Sequence, residues 1–137
     1  MRFEGKVSKS GKHWLAEVPA LDAMTQGRSR EGAYAMVKDL VETMAGSRRF
    51  IATVHRLPHD RFEISANDVK VLVALLLRRQ REKSGLTLAQ VAARLRQKSR
   101  NAYARYERGD AVPTIEKLEE LLDAVAPGKE FVWRLAS

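Results

Sequence analysis

One stretch of the chain, Leu86–Gly109, limits what the sequence can fold into more than any other. Thr87 is followed three residues later by Gln90, a capping-box pattern that predicts the start of a helix. Ser99 is a second cap candidate, and Gly109 suits the position just past a helix end. The stretch therefore predicts two short helices joined by a tight turn.

The second of these predicted helices has two different faces. Ala102, Tyr103 and Tyr106 are spaced so that they can face inward. The opposite face carries Arg100, Asn101, Arg105 and Arg108. Two crossed helices, the second of which exposes arginine and asparagine, are the arrangement that reads DNA in the major groove. The pattern therefore predicts a DNA-binding helix pair.

This stretch resembles the helix-turn-helix of the Cro and phage-repressor family, whose pattern is L-T-x-x-x-L-A-x-x-L, a turn, and S-x-x-x-I-x-x-x-E-x-G. The resemblance covers roughly residues 68–126. It departs in three places. The turn at 96–98 lacks the usual glycine, the same turn is one residue longer than normal, and Leu88 stands where glutamine is common.

The resemblance also implies roles for individual side chains. By position in the family pattern, Arg100, Asn101 and Arg105 fall where base edges are contacted. Arginine suits guanine and asparagine suits adenine, each through a bidentate pair of hydrogen bonds. Phosphate contacts are expected from Thr87, Arg96, Lys98 and Ser99. Tyr103 and Tyr106 are expected to be core residues. Contact with the bases is the less favoured alternative for them.

The charge distribution agrees with a phosphate-facing module. The chain has a formal net charge of +8, and residues 67–108 carry eleven Lys and Arg residues against three Asp and Glu residues. The segment after residue 108 is net acidic. A basic block with an acidic back face favours nucleic acid as a partner over a merely soluble basic protein.

The first 66 residues predict a small sheet with one helix. Alternating apolar residues indicate strands at 2–8 and 13–18, with a third, irregular strand at 20–25 and a turn at 26–28. Ser29 caps a predicted helix that runs to about Met44. A strand at 50–54 and a possible last strand at 61–64 follow. The expected fold class is therefore α+β: a small β-β-β-α-β domain followed by an all-α domain.

The segment GKHWLAEVPALDAMTQGRSREGAYAMV is similar to the HicB antitoxin family, whose members have a strand ending in W-A-E-x-P-x-L, a T-x-G turn and then a helix. The matching residues are Trp14, Glu17, Pro19, Leu21, Thr25, Gln26 and Gly27. Asp22–Met24 departs from the Pro-Gly-Cys-like segment of many members. The resemblance implies a partial ribonuclease H-like sheet in a toxin-binding domain, residues 1–66, ahead of a DNA-binding domain, residues 67–137.

The connection between the two predicted domains leaves alternatives open. Val71–Leu77 is a run of seven apolar residues inside a helix expected at 69–83. Either this helix is buried on all sides of one core, or one side packs on the first domain or on a second copy. We expect its cations, Arg78, Arg79, Arg81 and Lys83, near the DNA side. A closing helix is expected to bury Ile115, Leu118, Leu121, Leu122 and Val125, and Glu130–Leu135 is either a helical turn or a strand.

No catalytic constellation stands out. His13, His55 and His59 have no metal-ligand spacing, and the chain contains no cysteine, which excludes disulfides and thiolate metal sites. The acidic residues of the first domain are scattered, whereas a two-metal nuclease needs converging carboxylates. We therefore expect no enzyme activity, no metal and no cofactor. Without a signal-peptide layout or a membrane span, we expect a cytoplasmic protein.

The two resemblances together imply an antitoxin of a type II toxin–antitoxin system. Its first domain would neutralise a small HicA-type, mRNA-cleaving toxin by direct binding, and its second would bind operator DNA and repress its own operon. One helix-turn-helix binds weakly, so a homodimer or higher even oligomer is expected, joined through the second domain. The alternatives are a regulator whose first domain senses a ligand or only dimerises, and a degenerate nuclease.

Overall fold

The computed structural model of the 137-residue chain describes residues 1–97 and 99–135. The first part of this range contains β1 (Phe3–Ser10), β2 (His13–Val18), a short 3-10 helix (Pro19–Leu21), β3 (Ala23–Gly27), α1 (Arg30–Ala45), β4 (Ala52–Leu57) and β5 (Arg61–Ala66). Four helices follow: α2 (Val69–Lys83), α3 (Leu88–Arg94), α4 (Arg100–Glu107) and α5 (Ile115–Val125). The predicted α+β class is confirmed.

The strands form one antiparallel sheet in the order β3-β2-β1-β5-β4. Val7 pairs with Ala16 and Gly5 pairs with Phe62, so apolar residues of neighbouring strands share a face. Helix α1 packs on that face, where the Tyr34 and Phe62 rings meet edge to face at 5.8 Å. The buried residues of this face include Val7, Ala16, Val18, Phe62 and Ile64.

The last two strands, β4 and β5, differ from the sequence prediction in their bounds. The strand expected at 50–54 begins at Ala52 and extends to Leu57. Phe50 is buried but precedes the strand, because its amide donates to the Ser47 carbonyl in a turn. The last strand continues past Ile64 to Ala66, which pairs with Ala52.

The residues at 26–28 were expected to form a turn, and that prediction is wrong for Gln26 and Gly27, which complete β3. Gly27 is required here by a close approach. A Cβ atom at this position would lie 2.4 Å from the Ala33 backbone nitrogen. The first turn of α1 therefore rests directly on the end of β3, which explains a glycine in a strand.

Helix α1 follows its prediction closely. The Ser29 side chain accepts a hydrogen bond from the Gly32 amide, and Gly46 ends the helix with a left-handed φ of 69°. Val37 and Val41 are fully buried on the sheet, whereas the outer edge of this apolar side of α1 turns partly toward solvent. Met36 on that edge is 44% exposed.

The middle of helix α2 is buried on all sides because it packs against both parts of the chain. Asp68 caps it, and every residue from Leu72 to Leu77 is buried. One side contacts the 3-10 helix and α1, and the other contacts α4 and α5. The long apolar run is therefore explained by packing on the sheet-containing part of the chain as well as on the other C-terminal helices.

The cations of α2 do not lie where the sequence placed them. Arg79 donates to the carbonyl of Leu21 at 2.9 Å and to that of Asp22 at 2.8 Å, and Arg78 donates to the Met44 carbonyl. Lys83 lies 3.8 Å from the Asp22 carboxylate. The expectation that they emerge near the DNA side is wrong, because helix ends in the first domain present carbonyls that need donors.

The C-terminal part ends in α5 and an irregular tail. Thr114 caps α5, and Leu118, Leu121, Leu122 and Val125 are buried as predicted. Ile115 was expected in the same stripe but is 80% exposed, so the packed stripe begins one turn later. Residues 130–135 form neither helix nor strand, and residues 136–137 lie outside the described range.

Candidate nucleic-acid interface

Helix α3 is set by a capping box, as its sequence indicated. The Gln90 amide donates to the Thr87 hydroxyl at 3.1 Å, and the Thr87 amide donates to the Gln90 side-chain oxygen at 2.8 Å. These reciprocal bonds satisfy two backbone donors that a helix start otherwise leaves unpaired. Val91 and Ala92 are buried against the rest of the helical part. Thr87 itself is exposed at the start of the helix.

The turn after α3 has the hydrogen bonds of a Schellman motif. The Arg96 amide donates to the Ala93 carbonyl at 3.0 Å, and the Gln97 amide donates to the Ala92 carbonyl at 2.9 Å. Glycine normally occupies the left-handed position of this motif, and here Arg96 takes it with a φ of 56°. The missing glycine noted in the sequence is therefore replaced by an arginine under backbone strain. Lys98, a predicted phosphate contact in this turn, lies outside the described residues.

Helix α4 presents opposite chemistry on its two sides. Ser99 caps it by accepting a hydrogen bond from the Asn101 amide at 3.1 Å. Tyr103, Ala104 and Tyr106 are buried, and Tyr103 is fully so. The predicted base contacts Arg100, Asn101 and Arg105 are exposed. Both tyrosines are therefore core residues, and the polar face of α4 points to solvent.

Arg105 is held against its neighbour on the same helix. Its guanidinium lies 5.1 Å from the centre of the Tyr106 ring, and it donates to the Tyr106 hydroxyl at 3.4 Å. Stacking on an aromatic ring fixes the orientation of a long side chain that would otherwise be free. The exposed arginine is thereby partly ordered before any ligand arrives.

A buried ion pair fixes the end of α4 to α2. Arg81 donates to both carboxylate oxygens of Glu107, at 2.7 and 3.0 Å, and to the Leu86 carbonyl at 2.9 Å. The bond to Glu107 raises the pKa of Arg81. Burial raises the pKa of the Tyr103 phenol nearby, and the Glu107 charge adds to this effect. Arg81 was expected at the DNA side, and it serves instead to position α4.

Four arginines around α3 and α4 remain exposed: Arg94, Arg96, Arg100 and Arg105. Within residues 1–97 and 99–135, none of them has an acidic partner within 4.0 Å. By contrast, Arg108 is paired with Asp110 at 2.8 Å. Arg100 and Arg105 therefore give the exposed face of α4 a positive charge, whereas Arg94 and Arg96 line a pocket that also contains Glu120 and Asp123 of α5.

Residues 72–127 match a family model described as a helix-turn-helix domain. This part of the chain is therefore similar to a helix-turn-helix domain, a kind of domain that commonly binds DNA. The match begins inside α2, includes α3 and α4 and ends two residues after α5. A search of curated proteins found no match.

The described contact candidates lie on α3, on α4 and in the turn between them. Thr87 and Ser99 stand at the starts of α3 and α4, Arg96 stands in the turn between them, and the three predicted base contacts lie along α4. The assignment of these side chains to bases and phosphates stays a prediction.

The histidines are separate from this surface. His55 shares a hydrogen bond of 2.7 Å with the Ser65 hydroxyl across β4 and β5. Among the described residues, no three His, Asp or Glu side chains are grouped closely enough to hold a metal ion. Over the same residues, no helix has the length and apolar character needed to cross a bilayer.

Proposed function

We propose that this protein is a sequence-specific transcriptional repressor that reads its operator through α4. The observation that supports this most directly is the exposed face of α4, where Arg100, Asn101 and Arg105 project from a helix whose other side is buried. Arginine pairs with guanine O6 and N7, and asparagine pairs with adenine N6 and N7. Each such pair discriminates against the wrong base by about 1–3 kcal/mol.

Phosphate contacts would fix the register of this helix on the duplex. We assign them to Thr87, Arg96, Lys98 and Ser99. Three of these are at the starts of the two helices or in the turn, next to the exposed cations of the helix pair. Such contacts strengthen binding to every sequence alike and make affinity fall with salt.

The protein should bind as a homodimer or a higher even oligomer. One helix-turn-helix reaches only one half-site of an operator. Two domains related by a two-fold axis can bind two half-sites about 34–36 Å apart. The expected operator is therefore a palindrome with half-sites one helical turn apart. Because the target is operator DNA, we also place the protein in the cytoplasm.

The test is a mobility-shift titration with duplexes from the protein's own promoter at low ionic strength. We expect a specific shift that Arg100→Ala weakens and that Arg48→Ala leaves unchanged. Arg48 is the matched control because it is an exposed arginine in the loop after α1, outside the helix-turn-helix domain. No shift of the promoter, or equal loss in both variants, contradicts the proposal.

We further propose that the repressor is the antitoxin of a type II toxin–antitoxin pair. Two features support this proposal. The HicB-like segment of the sequence falls on the β2-β3-α1 unit, and this sheet-containing part precedes a DNA-binding domain. In this role the protein would neutralise a HicA-type, mRNA-cleaving toxin by binding it, and would itself catalyse no reaction.

Binding of such a toxin should depend on hydrogen bonds between backbone strands or on complementary shape. The expected toxin is basic, and residues 1–66 of this chain are also net basic, so simple charge attraction is not available. β3 and β4 are the two edges of the sheet, and an edge strand offers unpaired amide and carbonyl groups to a partner.

The alternative is a regulator whose first domain senses a ligand or only dimerises. Co-expression of a tagged copy with the neighbouring reading frame separates the two proposals. Recovery of a stoichiometric partner of roughly 60–90 residues, the size of a small domain, supports the antitoxin proposal. Recovery of this chain alone, with operator binding intact, contradicts it and leaves the regulator.

A further inference from the structure

The junction between the sheet-containing part (residues 1–66) and the helical part that follows it (α2–α5 and the tail) is short and hydrogen-bonded. Two residues separate β5 from α2. Asn67 accepts from the Ile51 amide and donates to the Arg49 carbonyl, both at 2.8 Å. Asp68 caps α2 with its side chain. Domains that move independently are normally joined by an exposed, flexible linker, and this junction is of the opposite kind.

Two consecutive side chains of α2 hold the C-terminal end of the 3-10 helix. Arg79 donates to the carbonyls of Leu21 and Asp22, at 2.9 and 2.8 Å. Gln80 is 3% exposed and donates to the Ala20 carbonyl at 2.6 Å. The carbonyls at a helix end have no partner within their own helix, and α2 supplies donors to three of them. Hydrogen bonds are directional, whereas apolar contacts are not, so these bonds fix the angle of α2 as well as its distance.

The next residue of α2 joins it to the helix that carries the predicted base contacts. Arg81 donates to both carboxylate oxygens of Glu107, the last residue of α4. Residues two positions apart on a helix point roughly 200° apart, so Arg79 and Arg81 lie on opposite sides of α2. Three consecutive residues of α2 therefore link the end of the 3-10 helix to α4.

The buried apolar side chains of the two parts belong to one continuous cluster. It includes Leu21, Val37 and Ile64 of the sheet-containing part together with Leu77, Tyr103 and Leu121 of the helical part. An independent domain ordinarily has a hydrophobic core of its own. Because the core is shared, opening either part exposes apolar surface of the other.

We propose that the two parts form one cooperative unit, coupled through Arg79 and Gln80 of α2, so that DNA bound at α4 also stabilises the sheet-containing part. Neither residue needs to touch DNA, because each acts on α4 through α2 and Arg81. A ligand that binds only the folded state stabilises every segment that unfolds together with its site. By the same relation, a partner bound to the sheet-containing part stabilises α4. The DNA arm of this inference rests on the proposed function, whereas the cooperative unit does not.

Denaturant unfolding of the full chain without DNA tests the cooperative unit. Trp133→Phe leaves Trp14 of β2 as the only indole, so its fluorescence reports on the sheet-containing part. The helical signal in far-UV circular dichroism reports mainly on α2–α5, which contain more helical residues than α1. We expect the two signals to give the same midpoint and the same slope. Two separate midpoints overturn the proposal.

The same measurement on Arg79→Met tests the coupling residue. Methionine keeps much of the apolar stem but donates to neither carbonyl, so the two midpoints should move apart and the apparent slope should fall. Lys83→Met is the matched control, because Lys83 is also a cation of α2 but lies 3.8 Å from the half-exposed Asp22 carboxylate. Its two curves should coincide. Coincident curves in Arg79→Met, with no more loss of stability than in Lys83→Met, overturn the role of Arg79. Gln80→Met loses one hydrogen bond instead of two and provides the same test if Arg79→Met does not fold.

Hydrogen exchange with bound DNA tests whether the coupling extends from α4 to the sheet. A promoter duplex at about 100 times its dissociation constant slows exchange through global unfolding about 100-fold. We expect this slowing at the amides of Phe62 and Ile64, which are buried on β5, as well as in α2–α5. In Arg79→Met the slowing should be confined to α2–α5. Slowing confined to α2–α5 in the wild type overturns the proposal.

These outcomes are distinguishable from failure of the proposed function. A promoter duplex that does not bind contradicts the repressor, whereas coincident unfolding of the two parts still supports the cooperative unit. Specific binding of the promoter by a chain whose two parts unfold separately supports the repressor and contradicts the coupling.

Discussion

Replacing Glu107 with alanine should destabilise the helix-turn-helix domain by about 2–4 kcal/mol. The Glu107 side chain is 7% exposed and accepts two hydrogen bonds from Arg81, whose side chain is 15% exposed. Removing one partner of a buried pair typically costs about 3–5 kcal/mol, because the other charge stays buried. The expected loss is smaller here, because Arg81 keeps its bond to the Leu86 carbonyl and some contact with water.

Denaturant unfolding of four chains measures this pair: wild type, Arg81→Met, Glu107→Ala and the double variant. The double variant should be more stable than the sum of the two single losses predicts, by at least about 1 kcal/mol, because it leaves no unpaired charge. Arg108→Ala is the control. Its ion pair with Asp110 is more than half exposed on both sides, so its loss should change stability by less than about 0.5 kcal/mol.

A stabilising Arg81–Glu107 pair is contradicted if Glu107→Ala costs no more stability than Arg108→Ala, or if the losses at positions 81 and 107 add without coupling. Either result would mean that the pair does not hold α4 against α2. The orientation of α4 would then rest on the burial of Tyr103 and Tyr106.

Three further predictions concern backbone strain, close packing and pH. Arg96→Gly should raise the free energy of unfolding by about 0.5 kcal/mol, because relief of the left-handed backbone strain at this position outweighs the added freedom of the unfolded chain. A lower melting temperature of the variant in thermal unfolding contradicts this prediction. Gly27→Ala should cost at least about 1–3 kcal/mol, measured by denaturant unfolding, because its Cβ would meet the backbone of α1. Burial pushes the pKa of Glu63 up, but hydrogen bonds from Arg2 and Arg134 outweigh burial and lower it. The ionised Glu63 should therefore stabilise the fold at pH values above the ordinary glutamate pKa of about 4.3, and this stabilisation should be lost as the pH falls through the lowered pKa. Free energies of unfolding measured from pH 7 to pH 3 should show this loss in the wild type and not in Glu63→Gln.

Helix starts were predictable because their determinants lie within a few residues of one another. Thr87 with Gln90, Ser29 and Ser99 each cap a helix through bonds to amides two or three positions away. Burial of Tyr103 followed from helical spacing alone. Local hydrogen bonding and periodicity therefore carried most of the prediction for the candidate site.

What the sequence did not predict depends on contacts between distant segments. Arg79 and Arg81 look like two more cations of a DNA-facing cluster, and only the folded chain brings carbonyls of residues 21–22 and the Glu107 carboxylate to them. Gly27 looks like a turn residue until α1 packs on it. The one sequence feature that could have indicated the ion pair is Glu107 itself, an isolated acid within a strongly basic helix pair.

The ratio of operator affinity to affinity for a scrambled duplex tests the central claim most directly. Measured by fluorescence anisotropy at several salt concentrations, this ratio should fall about 5- to 150-fold in Asn101→Ala and in Arg100→Ala, because base contacts carry the discrimination. Lys98→Ala should leave the ratio unchanged, weaken both duplexes alike and reduce the salt slope by about 0.9. If the α4 variants weaken both duplexes equally and keep the ratio, α4 does not read the bases and the account is wrong.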